Sequence, residues 1–244
     1  MEPVKIGLLG LGTVGGGTVS VLSRNADEIA RRAGRAINIS HAAAKEYTQD
    51  LPGLDTIDQI TDDAFKVVED PDVEIVIELI GGYSPALELV MKAIENGKHV
   101  VTANKALIAL HGNEIFEAAQ DKGVMVAFEA AVAGGIPIIK SVREGLAANQ
   151  IEWAAGIING TSNYILSEML LKSRDFDDVL AEAQALGYAE SNPEFDIEGV
   201  DAAHKLTILS SIAFGIPLQF DKVYREGITN IERQDVAYAA ELGY

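Results

Sequence analysis

The residues with chemical potential fall into separate groups along this chain. Near the N-terminus, Gly10, Gly12 and Gly15 are spaced as Gly-x-Gly-x-x-Gly, with Leu11, Thr13 and Val14 between them. Glycines at that spacing let backbone N–H groups approach a pyrophosphate, and the positive end of a following helix adds to the attraction. A tight turn without a ligand is the competing reading. Thr102-Ala103-Asn104-Lys105 ends on a lysine just past an apolar stretch, where open parallel sheets hold ligands; a solvated surface lysine is the alternative. Residues 187–201 are crowded with carboxylates and lead into a stretch holding Asp201, His204 and Lys205. Asp201 and Lys205 lie four apart, so a helix puts them on one face within pairing distance, as a surface salt bridge or as part of a site. The loop's carboxylates lack the regular spacing of a calcium loop. His204 reads as a packing or hydrogen-bonding residue.

The elements that position these groups follow from hydrophobic spacing. The run Val4–Leu9 is apolar apart from one lysine, and it meets the glycine loop before a helical pattern through Val19, Leu22, Ile29 and Ala30. Strands are expected at 37–44, 73–80, 99–102 and 124–128. Helices are expected at 60–69, from Pro85 to the stop at Gly97, and at 115–122, closed by Gly123. Alternation of this kind means a parallel sheet with helices on both sides, a Rossmann-type doubly wound α/β fold. The small-residue segment 130–137 changes the texture, and a domain junction is placed there, giving residues 1–130 and 131–244. The second part reads as α+β, with a helix at 138–147, a strand at 154–158, and helices at 162–171, 176–186, 200–214 and through Ile231, Val236 and Ala240.

Composition narrows the classes. A formal net charge of −18 repels phosphate backbones and anionic lipid, so nucleic acid and membrane are not expected as partners. Without cysteine, disulfides, thiolate metal sites and cysteine nucleophiles are excluded. The N-terminus passes straight into a core strand with no signal-peptide pattern, so a cytoplasmic location is expected. A nicotinamide site for NAD usually places an acidic residue at the end of the second strand, and one for NADP a basic residue. The sequence here is Ala43-Ala44-Lys45-Glu46, which leans to NADP through Lys45 and leaves NAD open.

In their order and spacing, several blocks closely resemble the homoserine dehydrogenase family: the glycine loop, Thr102-Ala103-Asn104-Lys105, Gly134-Gly135-Ile136-Pro137, Asn159-Gly160-Thr161-Ser162-Asn163-Tyr164, and Gly187-Tyr188-Ala189-Glu190 through Asp201-Ala202-Ala203-His204-Lys205-Leu206. The last two blocks are specific to that family rather than to Rossmann proteins generally. The resemblance implies NAD(P)-dependent interconversion of L-homoserine and L-aspartate 4-semialdehyde, a step toward threonine, methionine and isoleucine. It implies that Lys205 gives the proton to the aldehyde oxygen in the reducing direction, that Lys105 lies near the nicotinamide and reacting oxygen, and that Glu190 and Asp201 meet the substrate. The ammonium group of homoserine needs charge-assisted acceptors, which carboxylates supply. Because a lysine in water keeps its proton to about pH 10.4, a lysine acting as base in homoserine oxidation implies an alkaline optimum.

On the cofactor side stand Gly10, Gly12, Thr13, Val14 and Gly15 of the loop and Lys45 at the strand end, with Lys105 and Gly187 from the blocks that carry the resemblance. By the same resemblance a monovalent cation, usually sodium, would be held by Glu129 and the backbone carbonyls of Val132, Gly134 and Ile136, a segment that composition alone reads as a plain linker. A homodimer formed through the second, substrate-binding domain is also implied. Family members normally continue past Leu242-Gly243-Tyr244, so a trimmed or naturally short form is expected. Another Rossmann oxidoreductase acting on a related amino acid or aldehyde is the competing enzyme, and a nucleotide-binding module without turnover is the competing class.

Overall fold

The computed structural model describes residues 2–244 and divides into two compact units, Met1–Gly145 and Leu146–Tyr244. In the first unit, β1 (Val4–Leu9), β2 (Ile37–Ala43), β3 (Ile60–Thr61), β4 (Ile75–Glu78), β5 (His99–Thr102) and β6 (Val126–Ala127) form one parallel sheet in the order β3-β2-β1-β4-β5-β6. This is the doubly wound order whose strand direction of travel reverses between β1 and β4, leaving a crevice at the carboxyl ends of those strands. Both faces are covered, which is why β1 is apolar on successive residues. Leu8 packs with Val19 of α1 (Thr13–Arg24), Ile39 and Ile57, whereas Leu9 packs on the other face with Val67 of α3 (Ala64–Glu69), Leu89 and Ile94 of α4 (Ala86–Glu95), and Leu107 of α5 (Lys105–Lys122).

Local chemistry accounts for the departures from the expected elements. The first helix breaks at Asn25 into α1 and α2 (Ala26–Ala33). The expected helix at 60–69 starts later, because Ile60 and Thr61 pair with Ala42 and Ala43 as an edge strand and the Asp63 carboxylate caps α3 by accepting from Phe65 N. The Asn104 side chain accepts from Leu107 N, so α5 begins at Lys105 rather than at residue 115 and runs through Gly112. Strands β4 and β6 are shorter than expected. The expected helix at 138–147 is a short α6 (Ile138–Lys140) followed by a wider π turn, Ser141–Gly145, where the Ser141 hydroxyl donates back to Pro137 O. The expected junction at 130/131 falls inside the first unit. There the Glu129 carboxylate receives Ile139 N and Lys140 N at 2.9 Å each, and Ile139 is buried.

Beneath the sheet, Lys98 Nζ donates to the carbonyls of Asp70 and Val73, tying the turn before β4 to the turn before β5. Burial pushes the Lys98 ammonium below its ordinary value, against the pull of Asp70 and Asp72.

The second unit holds α7 (Gly160–Lys172), α8 (Phe176–Ala185), α9 (Glu194–Ile197), α10 (Val200–Phe214) and α11 (Arg233–Glu241). Ile165 and Met169 of α7 bury against Val179 and Ala183 of α8, with Ile197 of α9. Residues 154–158, expected as a strand, join no sheet ladder among the described residues. Gly199, at φ +74°, makes the left-handed turn between α9 and α10 and so sets the start of the helix that carries Asp201 and Lys205.

Candidate functional site

The glycine loop lies between β1 and α1, and its glycines have different physical reasons. Gly10 has φ +97°, and a Cβ there would sit 2.8 Å from Leu79 O. A Cβ on Gly15 would lie 1.9 Å from Gly10 O, so the loop can close on the helix only without a side chain. At Gly12 a Cβ would meet nothing within 4 Å: the space above this residue is open. Gly12 is also the N-cap of α1, without a side-chain cap and with no acidic residue in the first turn. The result is an uncapped helix N-terminus under an open cradle at the carboxyl edge of the sheet, which suits a phosphate group. Thr13 and Val14, the first residues of α1, are exposed beside it.

A cavity of about 560 Å³ adjoins the loop and is lined by Gly12, Thr13, Glu46, Tyr47 and Leu51 among others. Strand β2 ends at Ala43, so Lys45 and Glu46 both lie beyond the strand and both are exposed, Glu46 against the cavity. Lys105, the first residue of α5, is half-buried just past the carboxyl end of β5.

The segment considered for a cation begins with Glu129, whose two carboxylate oxygens cap the first turn of α6. Val132 is buried, and consecutive Ala133 and Gly134 at φ 60° and 56° curl the backbone toward Ile136. The donor set of carboxylate and carbonyl oxygens is of the hard kind that suits such an ion. No cluster of metal-binding side chains exists among the described residues, so Glu129 would be the single side-chain ligand.

In the second unit, α7, α9 and α10 bring polar groups together. Lys205 Nζ donates to Asp201 Oδ2 at 2.6 Å and to Ile158 O at 2.7 Å. The pair is no surface salt bridge, since Asp201 is 4% exposed. The Asn159 amide spends both hydrogens on carboxylates, Asp201 Oδ2 at 2.9 Å and Asp196 Oδ1 at 2.8 Å. Its oxygen accepts from Ser162 N and caps α7, which fixes the amide's orientation. The Thr161 hydroxyl lies 2.8 Å from Asp196 Oδ2 and 3.0 Å from Tyr188 O. One amine and two carboxylates are thus held in a fixed array, able to exchange a proton at Nζ and to attract a cationic group.

Asp201 and Lys205 therefore come together as expected, whereas Glu190 stands on an exposed part of the loop, its carbonyl held by Gln184 Nε2 at 3.0 Å. Gly187, at φ +76°, follows the end of α8 and is exposed. His204 is buried between the Phe195 and Phe220 rings, the packing role expected of it. Sequence reasoning gave no role to Asn159, Thr161 or Asp196. The signal was present in the block Asn159-Gly160-Thr161, but only folding shows that its side chains face Asp196 and Asp201. The largest cavity described, about 660 Å³ near Met169, Phe176 and Arg233, contains none of these residues.

Comparison with known proteins gives matches over nearly the whole chain. Residues 10–129 match the model for the NAD-binding domain of homoserine dehydrogenase, and residues 137–244 the model for homoserine dehydrogenase. The chain is 68% identical over 245 aligned positions to a homoserine dehydrogenase of Pseudomonas aeruginosa, covering 100% of this chain and 56% of the relative. A crystal structure of a homoserine dehydrogenase from Thiobacillus denitrificans superposes with a TM-score of 0.94 at 66% identity, over 100% of this chain and 56% of that one. A hyperthermophilic archaeal homoserine dehydrogenase in complex with NADPH superposes with a TM-score of 0.78 at 26% identity, over 95% of this chain and 75% of that one. The chain spans little more than half the length of the curated relatives it matches.

Proposed function

Since the chain belongs to the homoserine dehydrogenase family, we propose that it catalyses the NAD(P)-dependent interconversion of L-homoserine and L-aspartate 4-semialdehyde on the route to threonine, methionine and isoleucine. The observation that carries this reading is the array in the second unit, where Lys205 Nζ sits 2.6 Å from Asp201 Oδ2 and Asn159 ties Asp201 to Asp196. A nicotinamide cofactor, when bound, supplies the hydride acceptor for the alcohol carbon. In oxidation Lys205 takes the hydroxyl proton, and in reduction it returns a proton to the aldehyde oxygen, so protons balance across the step. Asp201 orients the amine, and the Asp196–Asp201 pair, with Glu190 on the loop, supplies acceptors for the substrate ammonium.

The cofactor belongs to the glycine loop of the first unit. Gly10, Gly12, Thr13, Val14 and Gly15 take the pyrophosphate, with Lys105 toward the nicotinamide and Gly187 on the cofactor side. We assign NADP as the preferred form, with Lys45 meeting the 2′-phosphate, in keeping with the archaeal relative solved with NADPH; NAD is the lesser cofactor. Glu129 and the carbonyls of Val132, Gly134 and Ile136 would hold a sodium ion, which organises the segment before α6. The second unit, Leu146–Tyr244, acts as the substrate-binding and dimerisation domain of a homodimer, and nucleic acid and membrane are not partners. No helix among the described residues is long and apolar enough to cross a membrane, and a cytoplasmic setting goes with a pathway fed by free amino acids. The test is nicotinamide absorbance with homoserine varied at saturating NADP: homoserine-dependent reduction supports the reading, and its absence with both NADP and NAD sinks it.

A further inference from the structure

One carboxylate has no part in the chemistry above yet is the most deeply buried acid described. Glu78 is 0% exposed, the last residue of β4, in register with Leu9 of β1 and Thr102 of β5. That row is the carboxyl edge of the sheet at the reversal between β1 and β4, where an apolar residue such as Leu9 is the ordinary occupant. A carboxylate there is tolerated only when its oxygens are satisfied.

Its partners form a closed ring. Glu78 Oε1 accepts from Ile80 N at 2.8 Å and Gly81 N at 3.0 Å, folding the chain after β4 back over the strand end. Glu78 Oε2 accepts from the Thr102 hydroxyl at 2.6 Å, and that hydroxyl accepts in turn from Asn104 N at 2.9 Å. Asn104 Nδ2 donates to Gly82 O at 2.7 Å, returning the ring to the loop where it began. Asn104 Oδ1 meanwhile caps α5 at Leu107 N, so the ring also fixes the first turn of the helix that starts with Lys105. Every donor direction is unambiguous, because the carboxylate and Gly82 O only accept. Gly81 and Gly82, at φ +79° and +71°, take the left-handed conformation that this fold-back needs. The same loop touches the glycine loop: the missing Cβ of Gly10 faces Leu79 O at 2.8 Å.

We propose that Glu78 is a positioning residue for cofactor binding, its carboxylate shaping residues 79–82 and the start of α5 into one rigid wall beside the glycine loop. This rests on the cofactor reading of that loop. The carboxylate does not touch the cofactor; it acts through the loop backbone and through Asn104. Glu78→Gln keeps the volume but removes the charge: with its oxygen on the two loop N–H groups, its NH₂ faces the Thr102 hydroxyl, which must turn from donor to acceptor, so the charge-assisted link is weakened and the hydroxyl hydrogen loses its buried partner. Thr102→Val opens the ring from the other side, and Thr102→Ser preserves the hydroxyl.

The experiment uses the full chain and titrates NADPH by fluorescence, with urea unfolding alongside and with KM measured separately for cofactor and homoserine. Glu78→Gln and Thr102→Val should weaken NADPH binding by roughly tenfold, leave the homoserine KM within about twofold, and be matched by near wild-type binding in Thr102→Ser. Wild-type NADPH binding in both variants, whatever their urea midpoints, overturns the proposal and leaves a purely structural ring. If Glu78→Gln does not fold, the Thr102 pair decides. If the wild type binds NADPH without oxidising homoserine while the variants lose binding, the positioning role stands and the homoserine reading falls. A wild type that binds neither NADPH nor NADH removes both.

Discussion

Replacing Gly12 and Gly15 separately by alanine should divide the glycine loop into a part that folds the chain and a part that binds. At Gly15 the new Cβ would lie 1.9 Å from Gly10 O and 2.8 Å from Gly10 C, both backbone atoms that no rotamer change can move. Overpacking costs about 1–3 kcal/mol, and an approach this close to fixed backbone puts Gly15 at the upper end, about 3 kcal/mol, set against roughly 1 kcal/mol gained from alanine in a helix. Net destabilisation of about 2 kcal/mol is expected for Gly15→Ala. Gly12 has φ −72° and open space where the Cβ would go, so Gly12→Ala should shift stability by less than about 1 kcal/mol. That open space is nevertheless where a pyrophosphate would approach the N–H groups of α1. Loss of one charge-assisted hydrogen bond, at about 1.5–3 kcal/mol, corresponds to roughly tenfold to a hundredfold weaker NADPH binding. Urea unfolding and NADPH fluorescence titration on the same samples give both quantities. Gly12→Ala that binds NADPH like the wild type would refute the placement of the pyrophosphate, and Gly15→Ala as stable as the wild type would refute the steric reasoning.

Other perturbations read different parts of the molecule. Lys205→Met should lower turnover by about 10²–10⁴-fold while NADPH affinity holds; a variant that keeps its turnover excludes Lys205 as the proton-transfer group. Lys45→Glu should lower the ratio of kcat/KM for NADP over NAD by roughly tenfold or more, and an unchanged ratio would pass the ribose to other residues such as Glu46. Burial raises the Asp70 carboxyl, but Asp72 N, His41 and the Lys98 charge outweigh it and hold the group below its ordinary value. A carboxyl lowered in the folded state contributes stability above the unfolded value, near pH 4, and loses it as pH falls through the folded one. Urea midpoints taken from pH 7 to pH 3 should therefore drop more steeply for the wild type than for Asp70→Asn, and parallel curves would contradict the assignment.

The first unit was legible because its signals are local and periodic. The apolar run of β1, the glycines and the stop at Gly97 each have a reason within a few residues, and together they define the alternating fold. What escaped depended on partners far along the chain. Ile60 and Thr61 become a strand only because Ala42 and Ala43 pair with them, and α5 begins at Lys105 because Asn104 reaches forward to cap it. In the second unit, the spacing of Asp201 and Lys205 announced a shared helical face but not its burial. Asn159 lies 42 residues from Asp201 and 37 from Asp196, so its role as the link between them follows only from the packing of α7 against α9. Glu78 was hidden by its place in an apolar strand, where a carboxylate has no local pattern to mark it.

Steady-state absorbance at the nicotinamide band, with L-homoserine varied against NADP and then NAD, decides what these residues do. Reduction that requires homoserine, runs better with NADP and collapses in Lys205→Met is the expected result. A protein that binds NADPH yet reduces neither cofactor at any homoserine concentration would contradict it.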